Sequence, residues 1–319
     1  MFRKKPREVK FKKPQKILLT SIFASYFSFF ACAPTTNIPP SSTSSLEPTE
    51  ALDQSTAQAP VELAERVIAL TSLSADLTAT LGEDKLIGIS SSPMLAQDAR
   101  FANIPTVSRS RTEPDLEKIV DLQPDLVIGA EGFHDKALQR LSDLDIPVLS
   151  VNIDSWKSLR SFTTTLASIL DANAQPLLER YDACLTQPSA ENLADSTSAL
   201  VLVSRQPILA PNRNSWAGDF LAQLNIENLV AELQGDSEFS GYVTLSAEKV
   251  IEADPDTVMV VDTGEDLLGQ LKAEPFWSEL KATKDNNVLS FSYFGLINPG
   301  SVASIEATCE QLKSELTAK

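Results

Sequence analysis

From residue 66 onward, short apolar runs alternate with stretches in which apolar residues recur at helical intervals. The short runs suit buried strands, and the amphipathic stretches suit helices that cover them. Strands are predicted at residues 66–70, 86–89, 126–128, 147–151, 199–203, 257–261 and 288–291. Helices are predicted at residues 74–81, 115–122, 135–144, 217–224, 247–253 and 302–316. Strands that alternate with helices indicate an α/β fold whose parallel sheets are covered on both faces.

One phrase of this pattern occurs twice. Residues 117–128 read EKIVDLQPDLVI, and residues 248–259 read EKVIEADPDTVM. Each copy predicts a short helix, a turn at Pro-Asp and a buried strand. The copies therefore predict equivalent elements in two similar lobes, and a cleft between two lobes is a place where small molecules bind.

A long segment with helical character separates the two copies. In residues 156–185 the apolar residues recur at helical spacing, and Pro176 is the one proline. The segment predicts a long linker helix that is kinked or broken near Pro176. The predicted boundaries are a first lobe at residues 64–155, the linker at 156–185 and a second lobe at 186–319.

The first 31 residues differ from the rest of the chain. Eight basic residues and one acid lie between Met1 and Lys16, and an apolar run follows at residues 17–31. This is the pattern of a signal peptide, and the run is shorter than the roughly 20 apolar residues of a membrane-spanning helix. Residues 32–63 are rich in Ser, Thr and Pro, which predicts a disordered tether.

The net charge of the chain restricts the kinds of partner that it could bind. The net charge is −16, and the part that follows the basic leader is more acidic still. An acidic surface argues against a nucleic-acid partner and does little to attract anionic lipid. Attachment to a membrane would therefore depend on acyl chains rather than on surface charge.

The chain has three cysteines, Cys32, Cys184 and Cys309. Cys32 stands at the end of the leader, and the other two form an even pair that could be bridged in an exported and potentially oxidising compartment. Both lie in helical patterns, and a disulfide needs Cα atoms within about 7 Å of each other. A bridge between Cys184 and Cys309 and two buried free thiols are both compatible with the sequence.

These features resemble the substrate-binding proteins of iron-siderophore and cobalamin ABC importers. The resemblance covers about residues 66–316 and rests on the opening strand, both copies of the repeated phrase, the helical linker and the Asn214-Ser215-Trp216 turn. It implies an α/β fold with two Rossmann-like lobes, each with a central parallel sheet, joined by a single long helix as in helical-backbone periplasmic binding proteins.

The end of the leader is similar to a bacterial lipoprotein cleavage site. Ala31-Cys32 follows the apolar run, although Phe29 stands where such sites usually have leucine. The similarity implies that Cys32 is lipidated and becomes the mature N-terminus. An ordinary cleaved signal peptide is the alternative.

The resemblance also implies two residues that dock on the permease. In that family each lobe presents an acidic residue to the transmembrane permease, and the matching positions are Glu117 and Glu248. The sequence places each in a first helical turn, with Asp115 and Ser246 as predicted N-caps. The alternative is that both glutamates only complement the helix macrodipole.

Candidate ligand residues lie in the loops that follow the predicted strands. Guanidinium groups suit anionic chelates, and aromatic faces suit a flat or apolar ligand body. The predicted ligand-binding residues are Arg109, Arg111, His134, Arg205, Arg213, Trp216, Tyr242 and Tyr293. Some have structural alternatives: Arg111 could pair with Glu113, Arg205 could be a solvated loop residue, and Trp216 could be core packing.

The composition also excludes several functions. His134 is the only histidine, so a zinc or manganese site with several histidine ligands is not expected. Haem needs one axial ligand, which His134 or Tyr242 could supply. No Walker A, G-x-G-x-x-G or G-x-S-x-G motif occurs, so an enzyme is not expected, and a secreted hydrolase is the alternative from a different class.

The sequence thus predicts a lipid-anchored solute-binding protein in the periplasm or on the outer face of the cell membrane. Its expected ligand is an iron chelate, a ferric siderophore or ferric citrate, and its expected partner is the permease of an ABC importer. Cobalamin is the main alternative ligand, and haem is a further one. We expect a monomer with no cofactor and no metal site of its own.

Overall fold

The structure is a computed structural model that describes residues 63–108, 114–186, 198–234, 237 and 239–317. The two expected α/β regions are both present, and each is built on a parallel sheet. Among the described residues, no helix is long and apolar enough to cross a membrane.

The first lobe is a five-stranded parallel sheet in the order β3-β2-β1-β4-β5. Its strands are β1 Val67–Ala69, β2 Leu86–Ser90, β3 Thr106–Ser108, β4 Leu126–Ala130 and β5 Val148–Val151. Its helices are α1 Ser72–Leu81, α2 Leu116–Asp121 and α3 Asp135–Ser142, with short 3-10 helices at Glu83–Lys85, Leu95–Gln97 and Ala99–Phe101.

The linker consists of two helices, α4 Trp156–Ile169 and α5 Gln175–Leu185. Ser155 caps α4 through a reciprocal hydrogen-bonding box with Ser158. The chain leaves α4 through Asp171, whose φ of 51° is left-handed, and Pro176 then lies in the first turn of α5. A proline fits this position because its missing N–H would have no intrahelical partner there. The predicted linker helix is therefore broken just before Pro176.

The second lobe contains a parallel sheet in the order β12-β11-β6-β9 and a separate antiparallel sheet in the order β10-β8-β7. Its strands are β6 Ser198–Leu202, β7 Ser204–Arg205, β8 Ile208–Pro211, β9 Glu227–Asn228, β10 Tyr242–Leu245, β11 Thr257–Asp262 and β12 Val288–Ser292. Its helices are α6 Trp216–Gln223, α7 Ala247–Ala253, α8 Leu267–Lys272, α9 Lys281–Lys284, α10 Tyr293–Leu296 and α11 Val302–Thr317, with a 3-10 helix at Pro275–Glu279.

The repeated phrase folds to the same element pair in both lobes. The first copy forms α2 and β4, and the second forms α7 and β11. Val127 of β4 pairs with Ile68 of β1 on one side and with Val148 of β5 on the other. Val258 of β11 occupies the same place between β6 and β12. The sequence repeat is therefore a repeat of topology and of strand register.

The Pro-Asp turn of each copy anchors the first strand of its own lobe. The Asp125 carboxylate accepts hydrogen bonds from the backbone N–H groups of Glu65 and Arg66 at 2.8 and 2.9 Å, just before β1. The Asp256 carboxylate accepts hydrogen bonds from the hydroxyl and backbone N–H of Ser198 at 2.8 and 3.4 Å, at the start of β6. Each aspartate thus ties the helix–strand turn to the neighbouring strand.

A disulfide joins Cys184 of α5 to Cys309 of α11, with Cα atoms 5.7 Å apart. It connects the linker to the last helix of the second lobe. On α11, Glu306 accepts two hydrogen bonds at 2.7 Å from Arg180 of α5. The two contacts fix α11 against the linker.

Candidate functional site

Loops of the two lobes that follow parallel strands contact each other at Gly300. Met94 follows β2 in the first lobe, and Phe294 follows β12 in the second. The side chains of Met94 and Phe294 both crowd the Cα of Gly300, where an added Cβ would lie 2.5 and 2.7 Å from them. Gly300 also has a φ of 67°, which favours glycine. The loops at the strand ends of the two lobes are therefore in contact.

A buried carboxylate makes a second connection between the lobes. Asp76 of α1 is 4% exposed, and it accepts hydrogen bonds from the backbone N–H of Val302 at 2.8 Å and from Arg100 at 2.6 Å. The Val302 N–H belongs to the first turn of α11, which lacks intrahelical acceptors for its N–H groups. Asp76 thus joins the first helix of one lobe to the last helix of the other.

Three loops of the second lobe form one surface, which we call the aromatic wall. Asn212 assembles it: the backbone N–H donates to the Gly241 carbonyl at 2.9 Å, and the side-chain amide donates to the Leu233 carbonyl at 3.0 Å. The backbone N–H of Arg213 donates to the Ala231 carbonyl at 3.2 Å. Loops 212–215, 231–233 and 239–242 are therefore held together beside the end of the antiparallel sheet.

The aromatic wall exposes apolar side chains. Phe239 is 59% exposed, Leu233 is 43% exposed and Tyr293 is 37% exposed. Burial, with a smaller contribution from the nearby Tyr293 phenol, raises the pKa of Tyr242 well above its usual value. Tyr242 therefore stays a protonated hydrogen-bond donor at physiological pH.

Trp216 lies behind the aromatic wall. Its indole is 3% exposed, stacks on Trp156 of α4 at a ring-centroid distance of 5.4 Å, and donates to the Gly295 carbonyl at 2.8 Å. Phe220 and Tyr181 pack against the Trp156 ring in the same cluster. The geometry favours a packing role for Trp216, which supports the turn that presents Tyr293.

The two described ligand-site arginines are each paired with a glutamate. Arg213 forms an ion pair with Glu232 at the aromatic wall. Arg205 lies at the opposite end of the antiparallel sheet, where it pairs in register with Ile208 and its guanidinium contacts Glu274 at 2.6 Å. The structure therefore places Arg213 and Tyr242 in adjoining loops of the aromatic wall and separates Arg205 from them.

Arg205 borders a small cavity of about 160 Å³ within the second lobe. The cavity begins where β6 and β11 end, and the Arg205 Nε beside it is buried without a hydrogen-bond partner. Its lining residues are Val203, Ser204, Arg205, Gln206, Thr263, Glu265, Leu267 and Gln270. Its volume is below the roughly 300 Å³ of small ligand pockets, so it would hold at most part of a small ligand.

In the first lobe the loop after β4 presents Phe133, which is 67% exposed. His134 behind it is 5% exposed, and its Nδ1 accepts a hydrogen bond from the Ala130 N–H at 2.9 Å. Burial lowers the pKa of His134, so the imidazole is neutral at physiological pH. The Phe133 ring contacts the His134 ring edge-on at 4.7 Å. His134 therefore braces Phe133, and its Nδ1 is already used.

Two predicted ligand residues, Arg109 and Arg111, lie outside the residues that the structure describes, as does Cys32. Their roles stay predictions. Among the described residues, no group of three or more histidine, cysteine, aspartate or glutamate side chains could hold a metal ion.

The two predicted docking glutamates occupy equivalent exposed positions. Glu117 lies in the first turn of α2, and Glu248 lies in the first turn of α7. Asp115 and Ser246 cap these helices, and each accepts a hydrogen bond at 3.3 Å from the backbone N–H three residues on, which confirms both predicted N-caps. The backbone N–H of Glu248 and the Ser246 hydroxyl lower the pKa of the Glu248 carboxyl, which is therefore ionised.

This fold defines a class of proteins, and comparison with known proteins identifies the family. The model of the periplasmic binding protein family matches residues 67–292, and the chain belongs to this family. Its members are solute-binding proteins and not enzymes, so the secreted-hydrolase alternative falls away.

The individual relatives that match the chain have low sequence identity to it, as three examples show. The chain is 27% identical over 222 residues to the iron-uptake system-binding protein of Bacillus subtilis, covering 63% of this chain and 67% of that one. It is 25% identical over 185 residues to the Fe(3+)-citrate-binding protein of the same organism, covering 56% and 57%. The periplasmic vitamin B12 binding protein of Vibrio cholerae has a similar structure, with a TM-score of 0.63, 19% identity and coverage of 80% and 97%.

Proposed function

We propose that this protein captures a ferric chelate, a siderophore complex or ferric citrate, and delivers it to the permease of an ABC importer. The carrying observation is the aromatic wall, where Arg213 and Tyr242 lie in loops that Asn212 holds together, with Tyr293 directly after the carboxyl end of β12. Ligands of open α/β sheets bind outside the carboxyl ends of the strands. The contact between the loops that follow β2 and β12 supports a site where the two lobes adjoin.

The relatives support iron as the cargo. Two curated relatives are described as binding proteins for iron uptake and for ferric citrate. Cobalamin is the second candidate, because the exposed rings of Phe133, Phe239 and Tyr293 also suit a flat corrin and a structural neighbour binds vitamin B12.

We further infer that the protein is exported and anchored to a membrane by lipid on Cys32. The basic leader, its short apolar run and Ala31-Cys32 support this inference. Glu117 and Glu248 would orient the two lobes on the permease, because both carboxylates are exposed at matching places.

The test is a tryptophan-fluorescence titration of the protein without its leader, residues 33–319. Trp216 bonds to the turn that carries Tyr293, so a ligand at the aromatic wall should change its emission. The ligands are ferric hydroxamates, a ferric catecholate, ferric citrate, haem and cyanocobalamin, with correction for their absorbance.

We expect saturable quenching by at least one ferric chelate, with a Kd in the micromolar to nanomolar range, or about −8 to −12 kcal/mol. Saturable binding of cobalamin or haem alone would overturn the iron assignment and leave a binding protein for a macrocycle. No binding to any of the ligands by calorimetry would overturn the proposed function as a whole.

A further inference from the structure

The loop between β4 and α3 presents Phe133, the most exposed large apolar side chain in the described part of the chain, at 67%. All strands of a parallel sheet end at the same edge, so this loop shares the carboxyl edge of the first sheet with Met94, which follows β2. Only β1 separates β4 from β2, so these two strands are about 10 Å apart at the usual strand spacing. Because the loop of Met94 contacts the second lobe at Gly300, Phe133 lies on the edge of the first lobe that adjoins the second.

Hydrogen bonds fix the backbone of this loop. The Glu131 N–H donates to the Val151 carbonyl of β5 at 3.0 Å, and the Gly132 N–H donates to the Asp135 carboxylate at 2.9 Å. Gly132 has a φ of 75°, which favours glycine. The Phe133 side chain is therefore presented to solvent by a defined backbone.

His134 holds the first part of the loop. Its backbone N–H donates to the Ala130 carbonyl at 2.8 Å, and its Nδ1 accepts a hydrogen bond from the Ala130 N–H at 2.9 Å. The side chain makes no capping hydrogen bond to α3, although His134 occupies the N-cap position of that helix. Its ring is buried and contacts the Phe133 ring edge-on at 4.7 Å. The imidazole thus connects the end of β4 to the exposed phenyl ring.

The hydrogen bond from Ala130 requires a neutral imidazole. Protonation would place an N–H at Nδ1, where it would face the Ala130 N–H, and two donors cannot form a hydrogen bond. Burial lowers the pKa of His134, and the Asp135 carboxylate opposes this by a smaller amount. β4 and β5 contain no charged residue. The other charged residues of the loop and of α3 are Glu131, Lys136 and Arg140, and all three are exposed.

We propose that His134 is a positioning residue, which holds the Phe133 ring in place to contact an apolar or aromatic surface of the bound ligand. A fixed aromatic ring supplies a large apolar contact area, and ligand sites are lined mainly by such groups. This inference rests on the proposed function and deepens it, because it assigns the contact that the first lobe makes with the ligand. His134 then acts through Phe133 and does not touch the ligand.

The experiment measures Kd by calorimetry on residues 33–319. The probes are ferrichrome, ferric enterobactin, ferric citrate, haem and cyanocobalamin, and the variants are compared on the probe that binds the parent most tightly. We expect Phe133→Ala to weaken binding by about tenfold or more, since it removes the apolar area of the ring from the contact. Leu144→Ala is the matched control, because Leu144 is 58% exposed and follows the far end of α3. Its Kd should equal that of the parent.

A double-mutant cycle tests whether His134 acts through Phe133. His134→Ala should weaken binding by about threefold or more in the parent and have no further effect in the Phe133→Ala variant. Additive losses, or an unchanged Kd for His134→Ala alone, would overturn the positioning role. His134→Asn replaces His134→Ala if that variant does not fold, because the amide oxygen can accept the Ala130 N–H in place of Nδ1. Circular dichroism checks the fold of each variant.

The pH profile gives a second readout. The affinity of the parent should fall between pH 7.5 and 4.5 as His134 is protonated, whereas His134→Asn has no imidazole to titrate. The ratio of the two Kd values removes the protonation of the probe itself. His134 is the only histidine, so its NMR signal reports the titration directly, and the midpoint of the fall should coincide with it. A ratio that stays constant through this titration would contradict the inference.

The outcomes separate the two claims. If a probe binds and Phe133→Ala binds it as tightly as the parent does, the inference is wrong and the proposed function stands. If only haem or cyanocobalamin binds, the iron assignment fails, and the cycle on that probe still decides the role of His134. If none of the five probes binds, the proposed function fails and the inference fails with it.

Discussion

At the scale of single residues, the aspartates of the two Pro-Asp turns have the same structural role. Asp125 and Asp256 each follow a proline and accept hydrogen bonds from groups at the start of a neighbouring strand. These hydrogen bonds hold the turn against the sheet. The exposed helix that precedes each turn is thereby fixed in orientation.

Removal of either carboxylate should lower the free energy of unfolding. For Asp125→Ala and Asp256→Ala we expect a loss of about 1 to 2 kcal/mol each, since each leaves backbone or hydroxyl donors without their acceptor. Urea denaturation followed by circular dichroism measures the change. Asp121→Ala is the control, because this exposed carboxylate at the end of α2 anchors no strand. A loss for Asp125→Ala no larger than the loss for the control would contradict the role.

The effect of Asp256 should depend on pH. Hydrogen bonds from Lys281 and Ser198 lower the pKa of the Asp256 carboxyl in the folded protein. A lowered carboxyl pKa contributes stability above the unfolded value of about 3.9, and this contribution is lost as pH falls through the folded value. The difference between the parent and Asp256→Ala should therefore be full at neutral pH and shrink in acid.

Residue types alone could not show whether Trp216 and His134 bind a ligand or are buried by packing. The sequence offered both as ligand residues, because an aromatic residue or a lone histidine in a loop suits a binding site. The structure buries Trp216 against Trp156 and uses the Nδ1 of His134 as a local acceptor. Burial depends on what packs over a loop, and distant segments supply that packing.

At the scale of elements, α2 and α7 are a matched pair. Each begins at a side-chain cap, carries an exposed glutamate in its first turn, and leads through a left-handed residue into Pro-Asp. That residue is Gln123 in one copy and Asp254 in the other, with φ values of 48° and 38°. The two helices therefore share their backbone path, even where their residues differ.

The matching positions of Glu117 on α2 and Glu248 on α7 predict that both glutamates dock on the permease. Glu117→Ala together with Glu248→Ala should abolish uptake of the chelate and binding to the permease, and leave the Kd for the chelate unchanged. Iron-55 uptake by cells that depend on this protein, and calorimetry on the purified variant, measure the two quantities.

The control for docking is Asp121→Ala with Glu252→Ala, which removes the same charge from the same two helices. We expect uptake by this variant to stay close to that of the parent. If the variant without Glu117 and Glu248 transported normally, the docking role would be refuted. The two glutamates would then only complement their helix dipoles.

Long periodic elements were predictable, and short ones were not. All seven predicted strands and six predicted helices occur within a few residues of their expected bounds. The antiparallel sheet of β7, β8 and β10 was not predicted, nor were β3, β9 and α8. Strands of two to four residues contain too few positions for a period of two to stand out. Their formation depends on partners from distant parts of the chain.

At the scale of the whole molecule, the sequence carries information that the described structure does not contain. The leader and Ala31-Cys32 precede the described residues. The leader and Ala31-Cys32 bear on the cellular location of the protein, whereas the two lobes bear on its function.

Lipidation predicts the behaviour of a cysteine variant. Wild-type protein should sediment with membranes and carry diacylglycerol at Cys32, as mass spectrometry of the N-terminal peptide would show. Cys32→Ser should accumulate as unprocessed precursor or be released, because the acyl chains supply the membrane affinity. Membrane retention of a processed Cys32→Ser protein would argue against the anchor.

The sequence by itself determined the α/β class, the two-lobe plan and the matched helices, because periodicity, capping residues and the repeated phrase are local signals. Only the tertiary structure decided that Asp76 joins the lobes, that Arg205 lies apart from Arg213, and that both arginines are paired with glutamates. These facts depend on contacts between residues far apart in the chain. Such contacts determine how much positive charge the arginines offer to a ligand. The number of arginines in the sequence does not show this.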